Sequence, residues 1–93
     1  MIKVLITGGT GFIGSHTCIS LLEQNFKLVV VDSCINSDSL MLDKLKLIMK
    51  NKGINVFNLN FYKGDVRDKS FLENIFRKEN ATKEPIEGVI HFA

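Results

Sequence analysis

Between an apolar run, Ile2 to Ile6, and an apolar-periodic segment, Phe12 to Leu22, stands Thr7-Gly8-Gly9-Thr10-Gly11-Phe12-Ile13-Gly14. A glycine-rich turn joining a strand to a helix is an anion site in the making. Gly8 lets the chain leave the strand in a conformation other residues resist. Gly11 offers no side chain to block a pyrophosphate approaching the backbone, and Gly14 lets the helix lie close against the strand. The first helical N–H groups then face the anion, with the positive end of the helix dipole behind them.

Glycines at this spacing also serve ordinary turns, so the context decides. The next apolar run, Leu28-Val29-Val30-Val31, ends in Asp32. An acid at the end of the second strand stands near the ~20-residue offset expected of a ribose-binding carboxylate. Strand, glycine turn, helix, strand and acid together predict a dinucleotide site rather than a plain α/β unit with a glycine-rich connection. Asp32 also selects the cofactor. A carboxylate accepts both ribose hydroxyls of NAD and repels the 2′-phosphate of NADP, which usually needs an arginine. No basic residue lies between Asp32 and Lys44, so NAD is expected.

The rest of the chain reads as a continuation of the same pattern. The first strand is expected over about Lys3 to Thr7 and the first helix over about Phe12 to Asn25, with Ile13, Cys18, Leu21 and Leu22 as its buried stripe. The second strand, Lys27 to Asp32, is continuously apolar and so covered on both faces. Ser37, Asp38 and Ser39 can each cap a second helix that runs to Lys52, with Gly53 as its stop. A third strand is placed near Asn60 to Gly64, followed by a loop, Asp65 to Asp68. Asp68 or Ser70 caps a third helix, with Glu73 spaced for a capping box from Ser70 and a stripe of Phe71, Leu72, Ile75 and Phe76. A polar loop holding Pro85 leads to a fourth strand, Gly88 to Ala93. The predicted fold class is α/β. Right-handed crossovers give the first half of a doubly wound parallel sheet with strand order 3-2-1-4, and the crevice opens between strands one and four. Val89, Ile90 and Phe92 lack obvious cover, so residues 1–93 are expected to be the amino-terminal part of a larger NAD-binding domain.

Composition narrows the partners. A net charge of +2 is too small to argue for nucleic acid or a membrane surface, and the lysines of 44–52 and 69–83 are mixed with acids, as on solvated faces. No apolar run approaches the ~18 residues of a membrane span, and the start reads as a strand rather than a signal peptide. Cys18 and Cys34 lack metal spacing and read as reduced thiols of a cytoplasmic protein, with Cys34 open to alkylation near the adenosine end of the cofactor. His16 and His91 have no carboxylate or serine partner at useful spacing and read as hydrogen-bonded packing residues.

Residues 7–16, Thr-Gly-Gly-Thr-Gly-Phe-Ile-Gly-Ser-His, resemble the extended short-chain dehydrogenase/reductase family of nucleotide-sugar epimerases, dehydratases and decarboxylases. Ser15-His16-Thr17 with Asp32, Asn36 and Ser37 looks most like its UDP-hexose 4-epimerase branch, and Gly64 to Asp68 and His91-Phe92-Ala93 are similar to later stations of the family. The resemblance covers all 93 residues, but only the first third of a typical member. It implies NAD held by Gly8, Gly11, Phe12, Ile13 and Gly14 at the pyrophosphate and by Asp32 at the adenosine ribose. It implies Ser33, Asn36 and Ser37 nearby, Asp65 and Val66 flanking adenine, and the backbone of Phe92 and Ala93 on the path to the nicotinamide. It also implies a UDP-sugar substrate inverted at C4 through a 4-keto sugar, and a homodimeric full-length protein. Two departures stand out: Phe12 replaces a common tyrosine, and Ser33 replaces a common asparagine. The family's Tyr-x-x-x-Lys pair is absent, because Tyr62 is the only tyrosine and Val66 stands four residues on. The chain alone is therefore expected to be inactive. Asp65 and Asp68 are read as one adenine ligand and one helix cap, not as a metal pair.

Overall fold

The computed structural model describes residues 1–8, 12–33 and 40–91, apart from the side chains of residues 12, 13 and 40–42. The elements alternate as β1 (Lys3–Thr7), α1 (Phe12–Glu23), β2 (Lys27–Asp32), α2 (Leu40–Asn51), a short 3-10 turn (Val56–Asn58), β3 (Leu59–Lys63), α3 (Lys69–Asn80) and β4 (Ile86–His91). All strand pairings are parallel, in the order β3-β2-β1-β4. This is the expected α/β, Rossmann-type sheet. Its register sets Thr7 beside Val31 and His91, and Asp32 beside Lys63, so the carboxyl ends of all four strands share one edge.

Strand periodicity divides the core. Val4, Ile6, Leu28, Val30 and Leu59 point to one face, where Cys18 and Leu22 of α1 and Leu45 and Met49 of α2 cover them. Leu5, Val29 and Val31 point to the other, under Ile75 of α3 with Phe71, Leu72 and Phe76 packed around it. β2 is buried on both faces, as its unbroken apolar run requires.

Several boundaries move. α1 ends at Glu23 rather than Asn25, and Asn25 takes φ 67, the left-handed turn that closes a helix. α2 ends one residue before the predicted Lys52. β3 begins at Leu59, because the 3-10 turn capped by Asn55 delivers the chain to the sheet there. β4 starts two residues early, at Ile86, whose amide donates to Asn80 Oδ1. Asp68 is the cap of α3; Ser70 lies inside the helix, and Glu73 faces Lys69 at 3.9 Å instead of closing a capping box. The helix-starting serines and aspartate of residues 37–39 lie outside the described residues. β4 is an edge strand; Val89 is 58% exposed, whereas Ile90 packs against the cluster under α1 and α2, and Phe92 lies outside the described residues.

Candidate functional site

The site is built where the strands end. β1 runs out of Thr7 into Gly8, whose φ of 73 is the conformation that the Cβ of other residues resists. The Gly8 amide still donates to Val31 O at 2.9 Å, so the turn departs from a fixed point on the sheet. α1 then begins at Phe12, and Gly14 in its first turn is buried. A helix of twelve residues thus begins just beyond the end of β1, and a helix N-terminus is the end that favours an anion. Gly9, Thr10 and Gly11 lie outside the described residues; for Phe12 and Ile13 the backbone alone is described.

Asp32 closes β2, one strand over, and is half-buried with Ser33. Its carbonyl accepts from the Gly64 amide at 3.0 Å, which ties the end of β2 to the end of β3. The chain then turns through Asp65 and Val66. Asp65 Oδ1 accepts from the Arg67 amide at 2.8 Å, and its carboxylate meets the Arg67 guanidinium at 2.9 to 3.2 Å. Those bonds hold the Asp65 carboxyl below the usual carboxylate range, so it is an anion at neutral pH. Asp68 accepts from Phe71 N at 3.1 Å; its carboxylate is spent on the cap. Val66 packs under α3 with the second core cluster.

Gly8, Gly14, Asp32, Ser33, Asp65 and Val66 therefore stand along one edge of the sheet, as the sequence spacing requires. Asn36, Ser37, Phe92, Ala93 and Cys34 lie outside the described residues. His91 is not buried as expected: β4 is an edge strand, so the ring is exposed, with Nδ1 2.5 Å from the buried Thr7 hydroxyl. That contact joins the ends of β1 and β4. His16 is exposed on α1. Cys18 is fully buried, and burial pushes its thiol up to about 12, far from a reactive thiolate. Among the described residues no group of three His, Cys, Asp or Glu is placed to hold a metal ion, and no helix is long and apolar enough to cross a membrane.

Sequence reasoning missed a second polar assembly, at the opposite end of the sheet. Lys3 and Glu79 are both nearly buried, at 3% and 5% exposure, and their charges meet at 3.1 Å. Glu79 Oε2 also accepts from the Tyr62 hydroxyl at 2.5 Å and lies 3.5 Å from Asn60 Nδ2. Burial and the bond to Glu79 raise the Tyr62 phenol to about 12. A tyrosine that serves as a base needs the reverse shift; the half-buried Tyr62 is instead engaged as a donor to Glu79. A signal existed: Glu79 falls four residues after Ile75, on the apolar stripe of α3, and Lys3 sits in an apolar strand.

Comparison with known proteins agrees with this architecture. The sequence model of the GDP-mannose 4,6 dehydratase family matches residues 5–93. A UDP-glucose 4-epimerase of Neisseria meningitidis serogroup B is 43% identical over all 93 residues, which make up 24% of that protein. The UDP-glucose 4-epimerase of Bifidobacterium longum, solved in complex with NAD+ and UDP, superimposes with a TM-score of 0.80 at 37% identity, over 98% of this chain and 24% of the other. A dTDP-glucose 4,6-dehydratase from Bacillus anthracis, solved with NAD, shares the fold with a TM-score of 0.75 at 21% identity, over 100% of this chain and 27% of its own. The chain thus spans about a quarter of the relatives it matches. With a match that takes in all but its first four residues, the chain belongs to the GDP-mannose 4,6 dehydratase family, the extended short-chain dehydrogenase/reductase kind that its glycine turn foretold.

Proposed function

We propose that these residues are the amino-terminal, NAD-binding part of a UDP-glucose/UDP-galactose 4-epimerase. The observation that carries the reading is the alignment of Gly8, Gly14, Asp32 and the Asp65–Val66 turn along the carboxyl edge of one parallel sheet. Gly8, Gly11 and Gly14, with the amides of Phe12 and Ile13, receive the pyrophosphate. Asp32 accepts the adenosine ribose hydroxyls, with Ser33, Asn36 and Ser37 beside it. Asp65 and Val66 flank adenine, and the backbone of Phe92 and Ala93 lines the way to the nicotinamide. The residues present suit the dinucleotide, since an anion finds helix amides without a carboxylate in the first turn of α1, and a ribose finds a carboxylate at the end of β2.

NAD held there supplies a hydride acceptor and donor for C4 of a UDP-sugar. The residues of this chain bind and orient; among the described residues none is placed as the base, and Tyr62 is engaged elsewhere. The base, the sugar pocket and a homodimer interface belong, on this reading, to a longer protein of the relatives' size, working in the cytoplasm. The match to a dehydratase family model supports a second reading, the same segment of a sibling nucleotide-sugar dehydratase.

The test is isotopic. The longer gene product is given UDP-glucose carrying deuterium at C4. Formation of UDP-galactose with deuterium retained at C4 supports the epimerase. A 4-keto-6-deoxy product supports the dehydratase. Absence of both with NAD bound, in a product that lacks a Tyr-x-x-x-Lys pair, means a non-catalytic NAD-binding protein. The 93-residue chain alone turns over neither sugar.

A further inference from the structure

Gly64 has no room for a side chain. A Cβ placed there meets the Phe71 ring well inside van der Waals contact. The reason is close approach: the ring lies directly against the backbone where β3 ends. This contact closes a loop of short bonds. Gly64 N donates to Asp32 O at 3.0 Å, and Asp68 N donates to Asp65 O at 3.0 Å. Asp68 Oδ1 accepts from Phe71 N at 3.1 Å, which brings the chain back to the residue whose ring abuts Gly64. The turn from Gly64 to Asp68 is thus held from two sides, by the end of β2 and by the first turn of α3.

We infer that Gly64 and Phe71 are a positioning pair, which sets the height of the Asp65–Val66 turn above the sheet and so confers selectivity for the adenine base. The inference rests on the dinucleotide reading above and adds to it two residues that touch no ligand. Phe71 packs in the second core cluster on one side. On the other it borders an open hollow of about 410 Å³ shared with Tyr62, Ile75 and Lys78. A methyl group at residue 64 therefore either lifts the turn or drives the ring toward that hollow. The atoms struck are the far end of a half-buried side chain, so the ring is the part that yields, and the turn loses the brace that sets its height. Asp65, pinned to Arg67, travels with the turn.

The test uses two dinucleotides that differ only at the base: NAD, and nicotinamide hypoxanthine dinucleotide, in which an oxo group replaces the adenine amino group. A carboxylate accepts from the amino group and repels the oxo group, so the wild type prefers NAD by about tenfold, the ratio one well-placed hydrogen bond supplies. Gly64→Ala weakens NAD by about that factor and leaves the hypoxanthine analogue nearly unchanged, collapsing the ratio. Phe71→Leu does the same to a lesser degree, and it carries the test if Gly64→Ala does not fold. The double variant G64A/F71L fills the vacated ring position with the new methyl group and recovers the preference, a coupling that two independent defects lack. An equal loss for both dinucleotides, an unchanged ratio in Gly64→Ala, or a double variant no better than its parents overturns the inference while leaving NAD binding in place. Failure of the wild type to bind either dinucleotide overturns the dinucleotide reading itself, and the inference with it.

Discussion

Lys3 Nζ lies 3.1 Å from Glu79 Oε1, an ion pair between the first strand and the last turn of α3 that is closed off from solvent. It joins residues 76 positions apart and anchors the last turn of α3 to the start of β1. Removing one partner leaves the other charge buried and unpaired, which costs about 3–5 kcal/mol. Glu79→Gln is therefore expected to lower Tm by more than 10 °C, taking about 4–8 °C per kcal/mol for a domain this small. The double variant K3M/E79L is expected to recover much of the loss. Thermal denaturation by circular dichroism measures both.

Acid sensitivity follows from the same end of the molecule. Burial pushes the Glu79 carboxyl up, but hydrogen bonds from Tyr62, Lys3 and Asn60 and the Lys3 charge outweigh it, and the net shift is downward. Hydrogen bonds from Lys27 and the amino terminus bring Glu84 down to about 2. A carboxyl depressed in the folded state contributes stability above its unfolded value of 4.5, and that contribution drains away as pH falls toward the folded value. Urea midpoints are expected to be flat from pH 7 to about 5 and to fall between 4.5 and 2. In Glu84→Gln that fall is shallower.

Thr7 and His91 join the carboxyl ends of β1 and β4. Thr7→Val keeps the shape of a buried side chain and removes the bond. The expected cost is about 1 kcal/mol, read as a modest fall in the urea midpoint. The His91 ring signal in nitrogen-15 NMR should shift at Nδ1 and not at Nε2.

Buried Cys18, with its thiol near 12, should resist alkylation in the native protein. Iodoacetamide followed by peptide mass mapping is expected to label Cys18 only after denaturant is added. Labelling of Cys18 at the rate of a free thiol would mean that α1 does not pack as described.

Most of the fold was legible because its signals are local. The run Leu28 to Val31 declared a strand covered on both faces, and Gly8 declared a backbone conformation that the structure reproduces at φ 73. Asp32 was found because it ends an apolar strand at a distance set by one strand–helix repeat. What escaped was non-local. Glu79 on the apolar stripe of α3 and Lys3 in an apolar strand each signal a buried charge, but nothing near Lys3 in sequence names Glu79 as its partner. Gly64 read as the last residue of the third strand, with no steric demand attached, since its constraint comes from the Phe71 ring on the next helix. The start of β4 was misplaced because Ile86 and Glu87 lack the apolar run that marks Val89 and Ile90, and a side-chain bond from Asn80 fixes it instead.

The central claim is that the carboxyl edge of this sheet binds NAD, with Asp32 choosing it over NADP. The most direct measurement is titration of the nitrogen-15-labelled chain with each dinucleotide, followed by amide NMR. The account predicts that NAD moves the amides of Gly8, Gly14, Asp32 and Val66, that NADP does so at least tenfold more weakly, the scale of one charged contact, and that Asp32→Ala removes the difference. Shifts of equal size with both dinucleotides, or shifts confined to residues away from that edge, would contradict it.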